Sequence, residues 1–159
     1  LVKRAGKEIL FVAQEIRTEW PYIAERQIAF YEICAELGIQ LDASRIFVRD
    51  FKDLKKDVGE LCSVVMAQKK FPKAIFILPV QAVLPFVMKI EERKKYAGTD
   101  FTLLIFDYEN SLIGHKGIGM LRQRWDEMIE RACVWVSRFG RRNALSFFRE
   151  KIKPEFIYN

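Results

Sequence analysis

Asp107, Ser111 and His115 stand at intervals of four residues and bring a carboxylate, a hydroxyl and the chain's single imidazole into one short stretch. Such a set can support acid–base or triad chemistry. No Gly-x-Ser-x-Gly turn accompanies Ser111 to present it as a nucleophile, so the stretch reads as a polar loop and no catalytic residue is expected. The run Gly114-His115-Lys116-Gly117-Ile118-Gly119 is glycine-rich, but its spacing matches neither the dinucleotide fingerprint nor the P-loop. No cofactor is expected. Cys34, Cys62 and Cys133 are far apart and form no Cys-x-x-Cys pair, so neither a metal site nor a disulfide framework is indicated. Each falls on the apolar side of a helical pattern, where a free thiol packs as a small hydrophobe, and a reducing cytoplasm is the natural setting.

Asp107 carries weight by itself. It follows the apolar run 101–106, and open α/β sheets bind ligands in the crevice outside the carboxyl ends of their strands. A carboxylate there can accept hydrogen bonds from ligand hydroxyls. The alternative is a turn or helix cap.

The elements that must position these groups are legible as alternating runs. The 159 residues fit one domain, and half of them are apolar, thirteen being Phe, enough for a sizeable core. Lys and Arg number 27 against 21 Asp and Glu, a net charge of +6. The basic residues are interspersed with acids, as in Lys52, Asp53, Lys55, Lys56 and Asp57, which reads as solvated faces rather than a polyanion-binding patch. Apolar runs at 8–13, 46–48, 74–78, 101–106 and 156–158 predict strands. Between them, Ile23, Phe30, Ile33, Cys34 and Leu37 predict a helix after Thr18 and Pro21, ending at Gly38. Leu54, Val58, Leu61, Cys62, Val65 and Met66 predict a second helix. A third should run from after Pro79 to about Tyr96, with Gly98 as its cap. Residues 107–119 read as an irregular connection. Trp125, Met128, Ile129, Ala132, Cys133, Val136 and Phe139 predict a fourth, amphipathic helix, interrupted at 140–143. Alternating strands and helices with short links imply a mostly parallel sheet covered on both faces, a three-layer α/β sandwich. No apolar stretch is long enough to span a bilayer, and no signal peptide is visible. Residues 1–6 read as the last turn of a helix, so further chain is expected upstream.

Taken together, the ordered segments resemble the effector-binding core of the lac-repressor type of bacterial transcription regulators, relatives of the type I periplasmic binding proteins. The resemblance rests on Gly6-Lys7-Glu8-Ile9-Leu10-Phe11, Arg26-Gln27-Ile28-Ala29-Phe30, Ala74-Ile75-Phe76, Ile105-Phe106-Asp107, the Leu121–Ala132 stretch containing Arg122-Gln123 and Met128, and Pro154-Glu155-Phe156-Ile157. Each motif alone is weak; their order along nearly the whole chain is the signal. It implies a periplasmic-binding-protein-like fold with a flavodoxin-like subdomain. Residues 1–159 would form one α/β domain, equivalent to the C-terminal subdomain plus returning segments, without the DNA-reading head or the N-terminal subdomain. The helix like 121–139 packs in that N-terminal subdomain in the family.

The same resemblance proposes site residues. Arg26 matches the family arginine that reaches into the cleft, its guanidinium offering five donors in a fixed fork; the alternative is a surface residue paired with Glu25 or Glu32. Asp107 ends its strand as the family aspartate does. Phe51 resembles the aromatic that stacks on the effector, against a plain core Phe. Gln123 resembles the glutamine near the hinge, and Trp20, close to Arg26 in sequence, could wall the cleft. The chain departs from the family at Leu78-Pro79-Val80-Gln81, where Ala-Asn-Asp is usual. Pro79 has no N–H and Val80 no polar side-chain atom, which removes one or two hydrogen bonds a polyol would need and puts the usual sugar in doubt.

The implied function is effector sensing and dimerisation in a cytoplasmic regulator that reaches DNA through a domain outside this chain. No enzymatic activity, metal or membrane contact is expected. A periplasmic-type binding protein and, less so, a flavodoxin-like enzyme are the alternatives. Homodimerisation is also expected from Val83, Leu84, Phe86, Val87, Met88 and Ile90, more apolar positions than one core face requires.

Overall fold

Ile9 to Ala13 contains no polar residue and is buried on both faces, as an inner strand of a parallel sheet must be. In this computed structural model it forms strand β1 (Ile9–Gln14). The structure describes residues 8–107 and 109–122, positions 127, 129, 130 and 134, and residues 155–158. Five further strands follow: β2 (Ile46–Arg49), β3 (Ala74–Ile77), β4 (Thr102–Phe106), β5 (Ile118–Arg122) and β6 (Glu155–Tyr158). Their order across the sheet is β2-β1-β3-β4-β5-β6. The first five run parallel, and β6 pairs antiparallel with β5.

Among the described residues, three complete helices cover the two faces. Helix α1 (Pro21–Glu36) lies on one. There Phe30 stacks on Phe11 with ring centroids 4.0 Å apart and meets Phe76 at 5.2 Å, in a core with Ile9, Ala13, Cys34, Ala74 and Leu78. Helices α2 (Leu54–Ala67) and α3 (Val83–Glu92) cover the opposite face. Val58, Leu61, Cys62 and Val65 meet Leu10, Val12, Ile75 and Ile77, joined by Phe86, Ile90, Leu103 and Ile105. The three-layer, mostly parallel α/β arrangement is the one expected. Among the described residues no helix is long and apolar enough to cross a membrane.

Several local expectations are corrected. Thr18 lies in a turn and does not cap α1; Trp20 is the N-cap, without a side-chain bond, and Pro21 opens the first turn. The buried positions of α1 are Ile23, Gln27, Phe30 and Cys34, whereas Ile33 is 48% and Leu37 39% exposed. Gln27 takes the inward position because its side-chain amide donates to the Gln14 carbonyl at 2.6 Å, satisfying a backbone acceptor at the end of β1. Gly38 does end α1: it is left-handed (φ 66°), and Ile39 N–H bonds the Cys34 carbonyl at 2.8 Å, the usual glycine stop.

Helix α3 stops at Glu92, short of Tyr96. Lys94 takes the left-handed position (φ 58°), with Lys95 N–H on the Ile90 carbonyl, so a lysine does the work glycine normally does. Gly98 instead sits in the β4 approach. With φ 81°, it faces Gly117 (φ 79°), whose Cβ, if present, would fall on the Gly98 backbone.

β5 replaces what reads as loop and helix start at 118–122. Ile118 and Met120 alternate inward and are buried, and Ile105 pairs with Met120. Glu127, Ile129, Glu130 and Val134 are helical. Ile129, placed on an inward stripe by its spacing, is 61% exposed. The rest of that stripe (Trp125, Met128, Ala132, Cys133, Val136 and Phe139), the interruption at 140–143, Gln123 and the turn at 1–6 lie outside the described residues. The apolar excess on α3 is largely used by its own core: Val83, Phe86, Val87 and Ile90 are buried and Leu84 packs partly against them, while Met88 is 61% exposed.

Candidate ligand-binding site

The strand order places a crevice where ligands bind in open α/β sheets. The chain leaves β1 to one side for β2 and returns on the other side as β3, so the crossovers diverge at the carboxyl ends of β1 and β3. A cleft of about 500 Å³ lies there, within the range of small-molecule sites. Gln14 from the end of β1, Tyr22, Ile23 and Arg26 from the first turns of α1, Leu78-Pro79-Val80-Gln81 after β3, and Asp107 after β4 line it.

Arg26 and Asp107, residues far apart in sequence, are brought together. A guanidinium N–H of Arg26 donates to an Asp107 carboxylate oxygen at 3.4 Å. The guanidinium carbon lies 4.0 Å from the Phe106 ring centroid and 5.0 Å from that of Tyr22. These cation–π contacts help hold the guanidinium in place, and its N–H groups are its hydrogen-bonding part. Asp107 is left-handed (φ 74°), and its backbone N–H donates to the Leu121 carbonyl at 3.0 Å. Aspartate tolerates this conformation better than most residues, and β5 fixes it there.

A polar brace supports the β1 end of the cleft. Gln14 donates its amide to the Asp50 carbonyl at 3.2 Å, and Arg17 bonds the Asp50 carboxylate at 3.2 Å. The Lys52 backbone N–H, with the charges of Lys52 and Arg17, holds the Asp50 carboxyl below its usual value.

The other proposed residues fare differently. Phe51 is a correction: it is 5% exposed, left-handed (φ 55°), and its ring meets Phe47 at 6.2 Å inside the core, so it offers no face to the cleft. Trp20 is 38% exposed at the start of α1, with Arg17 over its ring, and does not line the cleft. Gln123 lies outside the described residues. Tyr22, Gln14 and Gln81 are lining residues that the sequence did not single out. Tyr22 lies one helical turn before Arg26, a spacing that places both on one face, and this signal was available. Pro79 and Val80 form the apolar wall anticipated from the departure at that loop.

The Asp107, Ser111 and His115 set is not assembled as a relay. Ser111 donates its hydroxyl to Glu109 at 2.7 Å, a bond that lowers the Glu109 carboxyl pKa, and His115 is exposed. No group of three or more His, Cys, Asp or Glu among the described residues could hold a metal ion. A second hollow of about 660 Å³, between α2 and α3, is lined by Arg49, Lys55, Lys56, Glu60 and Lys89 among others. It is a wide surface depression without the strand-end geometry of the first.

No protein-family model and no curated protein matches the chain. Solved structures do. A regulatory protein of the LacI family from Chloroflexus aggregans superposes with a TM-score of 0.68 at 16% identity, over 89% of this chain and 51% of the other. A LacI family transcription regulator from Clostridium acetobutylicum gives 0.66 at 17% identity, over 86% and 50%. A probable transcription regulator from Thermus thermophilus gives 0.67 at 17% identity, over 99% and 62%. The chain thus spans about half the length of the first two and somewhat more of the third. The likeness is one of architecture: this chain has the fold found in LacI-family transcription regulators.

Proposed function

We propose that the chain is the effector-sensing part of a cytoplasmic transcription regulator, without enzymatic activity. The observation that carries this reading is the Arg26–Asp107 pair, held at the strand-end crevice of a fold shared with LacI-family regulators. A small molecule bound there would favour one orientation of this domain against a second subdomain. That reorientation would change the separation of DNA-reading heads in a dimer. Buried free thiols at Cys34 and Cys62 fit a reducing compartment. Met88 on α3 and Met66 on α2, exposed apolar side chains on the same layer, support homodimerisation. Pro79 and Val80 weigh against an ordinary sugar, because their side chains offer a polyol no donor or acceptor.

Calorimetric titration of the protein with sugars, nucleosides, amino acids and organic acids tests the sensing role. One class should bind, and Arg26→Ala should weaken it at least tenfold. Silence across all four classes would remove the proposal. Sedimentation at micromolar concentration tests the dimer, and a monomer there would exclude it.

A further inference from the structure

We infer that the cleft takes a small zwitterion with an apolar side chain, an α-amino acid or a compound of the same charge pattern, which opens the Arg26–Asp107 pair and sits between its partners. The inference rests on the reading of this cleft as an effector site. Two charged groups line it, one of each sign, and they touch through a single 3.4 Å contact. Their side chains are 21% and 31% exposed, and a partly exposed, single-contact pair is weak and readily exchanged for ligand charges of matching sign. Arg26 spends one donor on Asp107 and lies beside the Phe106 and Tyr22 rings, and its remaining N–H donors suit a carboxylate. Asp107 has a second carboxylate oxygen without a hydrogen bond among the described residues, suited to an ammonium group.

The cleft lining is apolar in part, alongside the polar side chains of Gln14, Tyr22 and Gln81. Ile23, Leu78, Pro79 and Val80 present an apolar surface, where a branched alkyl side chain buries favourably. A simple acid would meet Arg26 but lie against the Asp107 carboxylate; a simple amine would meet Asp107 but lie against the guanidinium. A zwitterion satisfies both. The left-handed backbone at Asp107 (φ 74°) is consistent with this use, since strain is accepted where a side chain must be held at one point.

The test is calorimetry on the protein with leucine, 3-methylbutylamine, 4-methylpentanoate, glucose and adenosine. Leucine should bind, and the two singly charged analogues should bind at least tenfold more weakly. Asp107→Asn should weaken leucine at least tenfold while leaving 4-methylpentanoate unchanged or tighter; Arg26→Gln should also weaken leucine at least tenfold while leaving 3-methylbutylamine unchanged or tighter. Asp107→Gly, which suits the left-handed backbone, separates loss of the carboxylate from loss of folding: thermal unfolding should be little changed and the preference for leucine over the acid lost. Binding of glucose or adenosine without leucine overturns the ligand class and leaves the effector site standing. Binding of none of the five overturns the ligand class, whereas the site itself falls only if the wider panel of sugars, nucleosides, amino acids and organic acids is also silent.

Discussion

Gly117 should tolerate no side chain, and a comparison with Gly114 isolates the reason. Both glycines are left-handed, at φ 79° and 80°. An alanine at either carries the cost of that conformation for an L-residue, about 1–2 kcal/mol. At Gly114 nothing lies within 4 Å of the added methyl, so the conformational cost is all that is lost. At Gly117 the methyl would fall on the backbone of Gly98 and Ala97. Backbone cannot rotate away as a long side chain can, so the two loops must separate, as in an overpacked core, at a further ~1–3 kcal/mol. Gly117→Ala should therefore destabilise by about 2–5 kcal/mol and Gly114→Ala by about 1–2 kcal/mol. For a chain of this length each kcal/mol lowers Tm by roughly 2–4 °C, so thermal and urea unfolding resolve the pair. The effect should reach the cleft as well, because the Gly117 loop leads into β5, whose Leu121 carbonyl holds the Asp107 N–H. Equal losses for the two variants would show that the loops have room to part and would refute the steric argument.

Lys94 occupies a left-handed helix stop at φ 58° and is exposed; Lys94→Gly should stabilise by up to about 1 kcal/mol in urea unfolding. Burial pushes the Cys62 thiol up to about 11, above the ~8.5 of an unfolded cysteine. The protection is therefore complete below ~8.5 and lost as pH rises towards 11, so Tm should fall across that alkaline window and less so in Cys62→Ala. In a Cys133→Ser variant at pH 8, a thiol reagent should react with neither remaining cysteine until urea unfolds the protein, because both are buried. Asp50, Asp42 and Asp100 are all held below their usual value by hydrogen bonds to backbone N–H groups. Their contribution is present above about 3.9, the unfolded value, and is lost as pH falls from there through their lower folded values, so Tm should drop in acid and the drop should be shallower in Asp50→Asn.

The strands β1 and β3 were legible because a strand buried on both faces is apolar throughout, as Ile9 to Ala13 and Ala74 to Ile77 are. Asp107 was legible for a related reason: the end of such a strand is where a carboxylate can reach a ligand. β5 was not. Two of its flanking and inner positions, Gly117 and Gly119, look like loop, and Ile118 and Met120 are too few to set a period. The need for glycine at Gly117 comes from the close approach to Gly98, a contact between loops separated in sequence. Phe51 misled because aromatic identity says nothing about direction; a left-handed backbone turns it into the core against Phe47. Gln27 was hidden by its polarity, since the carbonyl it satisfies belongs to another element.

The antiparallel pairing of β6 on β5 constrains the intervening chain in a way that sequence distance conceals. Arg122 and Glu155 are direct register partners, so their Cα atoms are about 5 Å apart. Residues 123–154 therefore leave and rejoin the sheet through one doorway. Their points of attachment are the two ends of one rung of the β5–β6 ladder, so a different insert joined there needs no re-threading of the sheet. Joining Arg122 to Glu155 with Asn-Gly would turn the doorway into a two-residue hairpin and keep Arg26, Asp107 and the other described lining residues of the crevice.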